Sequence, residues 1–200
     1  GIPIVSWKSN VIARSLLHCG DDATFALQGS LEAHTMAQMD AYIGIRGSAN
    51  SNEFADVPSE QMQLFQEHCW QKVHLALRVP KTKWVVLRYP TASMAQSAEK
   101  SSEEFEDFYF KVCTADYPKL AENQKPLQKR MEFARQVRIV APDTNLTFSI
   151  EGIPVVPSHG RRNIPDGEIF TAPVRDSVNG VITYNTKTLN QGLVFDRIHF

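Results

Sequence analysis

Nothing in this 200-residue chain reads as a membrane span, a disulfide scaffold or a nucleic-acid binder. No apolar run approaches about eighteen residues, so no transmembrane helix is expected, and no segment resembles a signal peptide. The three cysteines, Cys19, Cys69 and Cys113, are odd in number and form no CxxC pair. That argues against a zinc ribbon and a disulfide framework, and leaves free thiols acting as small core residues in a reducing cytosol. An excess of one charge is also missing. With 21 basic against 22 acidic residues the net charge is −1, too little field to gather nucleic acid or anionic lipid, so neither is an expected partner.

Motifs of several enzyme classes are absent as well. There is no GxSxG elbow or SxxK pair for a serine nucleophile, no HExxH for a helical zinc pair, and no GxGxxG turn for a dinucleotide. His68 and His74 share a predicted helix, but their spacing puts them on opposite sides. His18, His34 and His199 have no ligand-like partner in the sequence. His159, beside Gly160 and the pair Arg161-Arg162, is the histidine retained as a candidate to face a site. An initiator Met and a polar tail are missing too. The chain opens at Gly1 straight into "IPIVSW" and closes on "LVFDRIHF", which raises the expectation of a piece of a longer polypeptide.

What is present is ordinary for a soluble globular protein: 42% hydrophobic and 22% charged residues, enough chain for one large domain or two small ones. Ile2–Trp7, Asp40–Gly47 and Trp84–Tyr89 are near-continuous apolar runs, as expected of strands covered on both faces. Between the last two, Met62, Phe65, Cys69, Val73 and Leu77 recur at steps of three and four, which predicts an amphipathic helix begun by Pro58-Ser59-Glu60. Strand, helix, strand in this order predicts an open parallel α/β sheet. The polar stretch Gly47–Pro58 reads as a solvated connection, with a ligand crevice at the strand end as the alternative.

Past Pro90 the pattern changes. Ser101 and Glu104 form a capping box ahead of an apolar stripe, Phe105, Phe108, Tyr109 and Val112. A second helix is predicted from about Gln124, with Pro126 in its first turn. From Val137 the alternation is that of strands, with Leu146, Phe148 and Ile150 on one face, and Asn179-Gly180 predicts a hairpin turn. The expected fold class is α/β: a parallel α/β N-terminal portion, residues 1–96, then an α+β portion with antiparallel strands, residues 97–200.

The candidate site is "RNIPDGEIFTAP", Arg162–Pro173. Pro165 removes an amide and fixes φ, Gly167 lets the backbone bend, and Glu168 stands at the start of a strand-like run. A carboxylate held this stiffly suits a hard or borderline divalent cation. The alternative is a turn residue paired with Arg161 or Arg162. The other acidic group, Glu103, Glu104, Glu106 and Asp107, spans both sides of a helix and reads as a solvated face.

The block "RRNIPDGEIFTAPVRDSVNGVI" closely resembles the motif of the thermophilic-type metalloaminopeptidases, the aminopeptidase T and aminopeptidase II family. "MDAYIGIRGSANSNEFADVP", "KTKWVVLRYPTASMAQSAEKSSEEFEDFYF" and "VRIVAPDTNLTFSIEG" agree in the same order, so the resemblance covers nearly the whole chain. It implies a cytoplasmic, homodimeric exopeptidase with two divalent metal ions (zinc, cobalt or manganese) that releases N-terminal amino acids from peptides. It further implies that Glu168 is the first metal-ligating glutamate. The remaining ligands, a glutamate, two histidines and an aspartate, and the catalytic tyrosine would fall beyond Phe200, and a first strand-helix segment before Gly1. On that basis these residues alone are expected to be inactive. Asn145 stands where the family commonly has aspartate, at a position not read as a ligand. A non-catalytic module for dimerisation or peptide binding is the alternative.

Overall fold

A computed structural model describes residues 1–184 and, beyond them, the backbone of three short strands at 188–190, 193–195 and 198–199. The side chain of His199 lies outside the described residues. The chain forms two compact units, Gly1–Glu106 and Asp107–Phe200, and mixes helices with parallel and antiparallel strands, as the α/β expectation requires.

In the first unit, helix α1 (Asn10–Cys19) is capped by Ser9, whose hydroxyl accepts from the Ile12 amide. Asp21 caps α2 (Asp22–Ala37) by accepting from the Thr24 amide at 2.8 Å. Each cap satisfies an amide that the first helical turn leaves without a partner. Strand β1 (Ala41–Arg46) pairs in parallel with β2 (Lys83–Arg88), in register from Ala41↔Lys83 to Arg46↔Arg88. Leu17, Phe25, Cys69, Val73 and Ala95, the last on α5 (Ala92–Ser97), are buried. Burial raises the Cys69 thiol to about 11, so it is an inert core residue, whereas Cys19 is exposed and departs from the core expectation.

Two of the expected strands behave differently from the prediction. Ile2–Trp7 is not a strand; Ile2 and Trp7 are each 93% exposed. Apolar composition cannot make a strand without a neighbour to take its backbone hydrogen bonds. β1 is a strand, but it is covered on one face only. Tyr42 lies under the guanidinium of Arg78, 4.5 Å from the ring centroid, while Ile43 and Ile45 point the other way and stay exposed.

The helix between the strands starts as α3 (Ser59–Phe65), continues as a π-helix (Gln66–Arg78) and ends in one further turn, α4 (Val79–Lys81). A π-helix closes i→i+5 hydrogen bonds and turns roughly once per 4.4 residues. The buried positions follow that period: Cys69, Val73 and Arg78 are buried, where the 3.6-residue reading had placed Leu77. Arg78 donates through Nε to His74 Nδ1 at 2.8 Å, and His74 packs against Trp70 with centroids 4.0 Å apart and the ring planes tilted by 46°.

His74 can accept from Arg78 only while Nδ1 carries no proton. Burial first, then the charges of Arg78 and Arg46, lower its pKa from 6.5 to about 4. Because the folded-state value is depressed, the unfolded chain takes up a proton first as pH falls. Stability is therefore expected to decline between pH 6.5 and about 4 and then level off. An NMR titration of the His74 ring should show a midpoint near 4; a midpoint at 6 or above contradicts the Arg78 contact.

Helix α6 (Ser102–Cys113) has Ser101 accepting from the Glu104 amide, half of the predicted capping box. The Glu104 carboxylate turns to Lys100 instead. Its acidic residues are all exposed, as a solvated face should be. In the second unit, α7 (Tyr117–Phe133) starts well before the predicted Gln124. Asp116 caps it, accepting from the Lys119 amide at 3.0 Å, and Pro118 rather than Pro126 occupies the first turn. Pro126 lies inside the helix; taking it for a start signal misplaced the boundary.

Strands β3 (Gln136–Ala141) and β4 (Thr144–Ser149) form a hairpin. Its turn is Pro142-Asp143, with Asp143 at φ +50°, a left-handed backbone that Asp tolerates better than most residues. Leu146 and Ile150 are buried as the alternation predicts. Val156–Pro157 (β5), Asn163–Ile164 (β6) and Ile169–Phe170 (β7) are two-residue strands.

Asn179-Gly180 is not a hairpin turn; both residues lie in β8 (Asn179–Ile182), which pairs antiparallel with β4. Gly180, at φ +122°, is required there because a Cβ would come within 2.0 Å of the Asn145 carbonyl oxygen. Strand β9 (Thr188–Asn190) pairs with β10 (Leu193–Phe195), and β11 (Ile198–His199) completes the order β11-β8-β4-β3.

Candidate metal centre

The segment that carries Glu168 is a closed loop. β5 and β7 pair antiparallel, Val156↔Phe170 and Pro157↔Ile169, and the Ser158 amide extends the ladder to the Glu168 carbonyl at 2.8 Å. Everything from His159 to Gly167 therefore projects from one two-stranded neck. Inside it the Asp166 carboxylate accepts from the Gly160 amide at 2.8 Å and from the Gly167 amide at 3.0 Å, tying the outgoing limb to the returning one. Pro165 follows a cis peptide bond.

Helix α7 fixes this loop from below. Gly160, at φ +81°, lies on the ring of Tyr117 so closely that a Cβ would meet ring carbons at 2.6–2.9 Å. Burial, with the charges of Cys113 and Asp166 adding to it, raises the Tyr117 pKa, so the phenol stays neutral. One turn on, the Leu120 side chain reaches the Gly167 backbone. Gln124 donates from Nε2 to the carbonyls of Ser158 at 2.9 Å and Glu168 at 3.1 Å, bridging both sides of the neck. Its Oε1 is buried and has no partner among the described residues, which costs about 1–3 kcal/mol.

The outcome is a fixed backbone and a free carboxylate. Glu168 is exposed, and its side chain makes no hydrogen bond or ion pair among the described residues. An open cleft lined by Asn163, Pro165, Asp166, Gly167 and Glu168 runs beside it. The sequence singled out Pro165, Gly167 and Glu168. It missed Asp166, Tyr117 and Gln124, of which only Asp166 had a local signal, as an Asp in a turn able to accept from nearby amides.

The other candidates do not gather here. His159 sits in the loop, but its Nδ1 is buried rather than presented to the cleft. His18 lies 3.5 Å from Asp56, whose pKa is lowered chiefly by its hydrogen bond to Arg14. His68 contacts Asp22 at 2.8 Å and Lys72 at 3.1 Å. Asn145 accepts from Arg138 across the β3–β4 hairpin at 3.1 Å. The Gly47–Pro58 loop is tied down at Ser48, which accepts from Asn10 and donates to the Asn50 carbonyl, while Ser93 donates to the Ser48 carbonyl. That arrangement suits a connection better than a crevice.

A catalytic metal site asks for about three protein ligands, and no three His, Cys, Asp or Glu groups stand together among the described residues. Glu168 fits such a site as one carboxylate ligand and does not constitute it. No described helix is long and apolar enough to cross a membrane.

The chain is a member of the thermophilic metalloprotease (M29) family, whose model matches residues 3–200. No curated protein matches it. Among solved structures, wild-type AmpT from Thermus thermophilus is similar in fold, with a TM-score of 0.68 and 19% sequence identity. The match covers 98% of this chain and 56% of that one, so the chain spans little more than half the length of that structure.

Proposed function

We propose that this chain forms part of an aminopeptidase that uses two divalent metal ions, zinc, cobalt or manganese, to release N-terminal amino acids from peptides. The observation that carries the reading is Glu168: an exposed carboxylate without a protein partner, on a loop clamped by Asp166, Gln124 and Tyr117, in a chain of a metalloprotease family. When bound, the metal ions would supply Lewis-acid charge and an activated water. The part this chain's residues play is to hold the Glu168 carboxylate at one position and leave it accessible.

With one ligand among the described residues, residues 1–200 alone are inactive in this reading, and the remaining ligands and the catalytic tyrosine lie further along the polypeptide. The intact protein is a cytoplasmic homodimer, with an N-terminal α/β domain over residues 1–96 and the start of the catalytic domain over 97–200. A second reading, a non-catalytic module for dimerisation or peptide binding, draws on the lack of a three-residue ligand cluster among the described residues.

Metal removal separates the two. The full-length protein should cleave leucyl peptides, lose that activity on dialysis against a chelator, and regain it with zinc, cobalt or manganese. Cleavage that persists after complete metal removal refutes the metallopeptidase reading. A dimer that binds peptides and never cleaves them establishes the module.

A further inference from the structure

Gln124 is the one buried residue of α7, and apolar packing gives no reason for an amide there. Both N–H groups of Nε2 go to the neck of the loop, one to the Ser158 carbonyl and one to that of Glu168. The orientation is forced, because the flipped amide would aim its oxygen at two carbonyl oxygens. Oε1 is left buried without a partner among the described residues. The side chain is therefore placed for its two donors, at the cost of one unsatisfied buried oxygen.

We infer that Gln124 is a positioning residue for Glu168: by holding the Glu168 carbonyl it fixes the backbone from which the carboxylate reaches a divalent cation. This rests on the proposed role of Glu168 as a metal ligand. The only other tie on that carbonyl among the described residues is the Ser158 amide, and Gln124 holds the Ser158 carbonyl too, so one side chain locks both limbs. Without it the carboxylate samples more positions, and apparent affinity falls with the fraction of time spent in the competent one.

The test is a titration of cobalt(II) into metal-free full-length protein, following affinity by calorimetry and the visible bands of the bound ion. Gln124→Met keeps the reach and removes the donors. It is expected to weaken cobalt binding by about tenfold or more, shift the bands, and speed hydrogen exchange in residues 158–168 while leaving the β3–β4 hairpin unchanged. A merely structural role would lower the folded fraction without altering the spectrum of the ion that binds.

Glu168→Gln serves as the second arm. If it weakens cobalt binding while folded Gln124→Met retains wild-type affinity and bands, the inference about Gln124 is overturned and the ligand role of Glu168 stands. If Glu168→Gln changes nothing, the ligand role fails and the inference goes with it. Should Gln124→Met not fold, Gln124→Asn, which keeps the amide but draws it back by one methylene, decides the matter by the same readings.

Discussion

Glu168→Gln in the full-length protein is expected to reduce kcat/KM for leucyl-peptide cleavage by at least about a hundredfold, while leaving its thermal midpoint nearly unchanged. The two halves of this expectation have separate causes. The fold is spared because Glu168 is anchored through its backbone: its carbonyl accepts from the Ser158 amide and from Gln124, and its side chain has no partner among the described residues. A glutamine of the same size disturbs neither. In the proposed role of Glu168 as a metal ligand, activity is lost because a neutral amide is a poorer ligand for a divalent cation than a carboxylate. The Lewis-acid contribution at stake is several kcal/mol, and each 1.36 kcal/mol is tenfold in rate. Metal content per subunit should fall in parallel. A variant that cleaves as well as wild type and binds the same quantity of metal removes Glu168 from the centre.

How far the sequence discloses this arrangement depends on the range of each interaction. β1, β2 and their parallel pairing are legible because apolar runs and an intervening amphipathic stretch are local signals. Glu168 is legible because Pro165 and Gly167 stand just ahead of it in the sequence. What holds Glu168 is not. Gln124 lies 44 residues away and Tyr117 sits opposite Gly160, and neither residue type announces a contact before the chain is folded.

The misreadings share a cause. Asn179-Gly180 has the composition of a tight turn, yet Gly180 is needed for a close approach to Asn145 inside a sheet. The same lack of a Cβ serves both purposes, and composition cannot tell them apart. Ile2–Trp7 has strand composition but pairs with no strand among the described residues. The register of the π-helix is equally invisible, since steps of three and four fit 69 and 73 as well as steps of four and five fit 69, 73 and 78.

Gly29→Ala should destabilise the first unit by about 2–3 kcal/mol, against the ordinary trend for such a change. In the middle of an exposed helix, alanine is preferred to glycine by about 1 kcal/mol, so propensity alone predicts a gain. Gly29 is buried in α2 where that helix crosses the π-helix, and a Cβ there would lie 2.0 Å from the His68 carbonyl oxygen and 2.8 Å from its carbon. Both are backbone atoms, so no side chain can swing aside, and ordinary contact begins near 3.4 Å. The helices would have to separate by more than an ångström, loosening Phe25 and Cys69, whose thiol touches the Phe25 carbonyl at 3.6 Å. Interiors packed at this density do not absorb such a shift without losing contacts along the whole seam. For a unit of this size the thermal midpoint should fall by at least about 8 °C. Ser30→Ala, one residue on and exposed, should change the midpoint little. A Gly29→Ala protein as stable as wild type, or more so, would show that α2 and the π-helix do not meet at this distance.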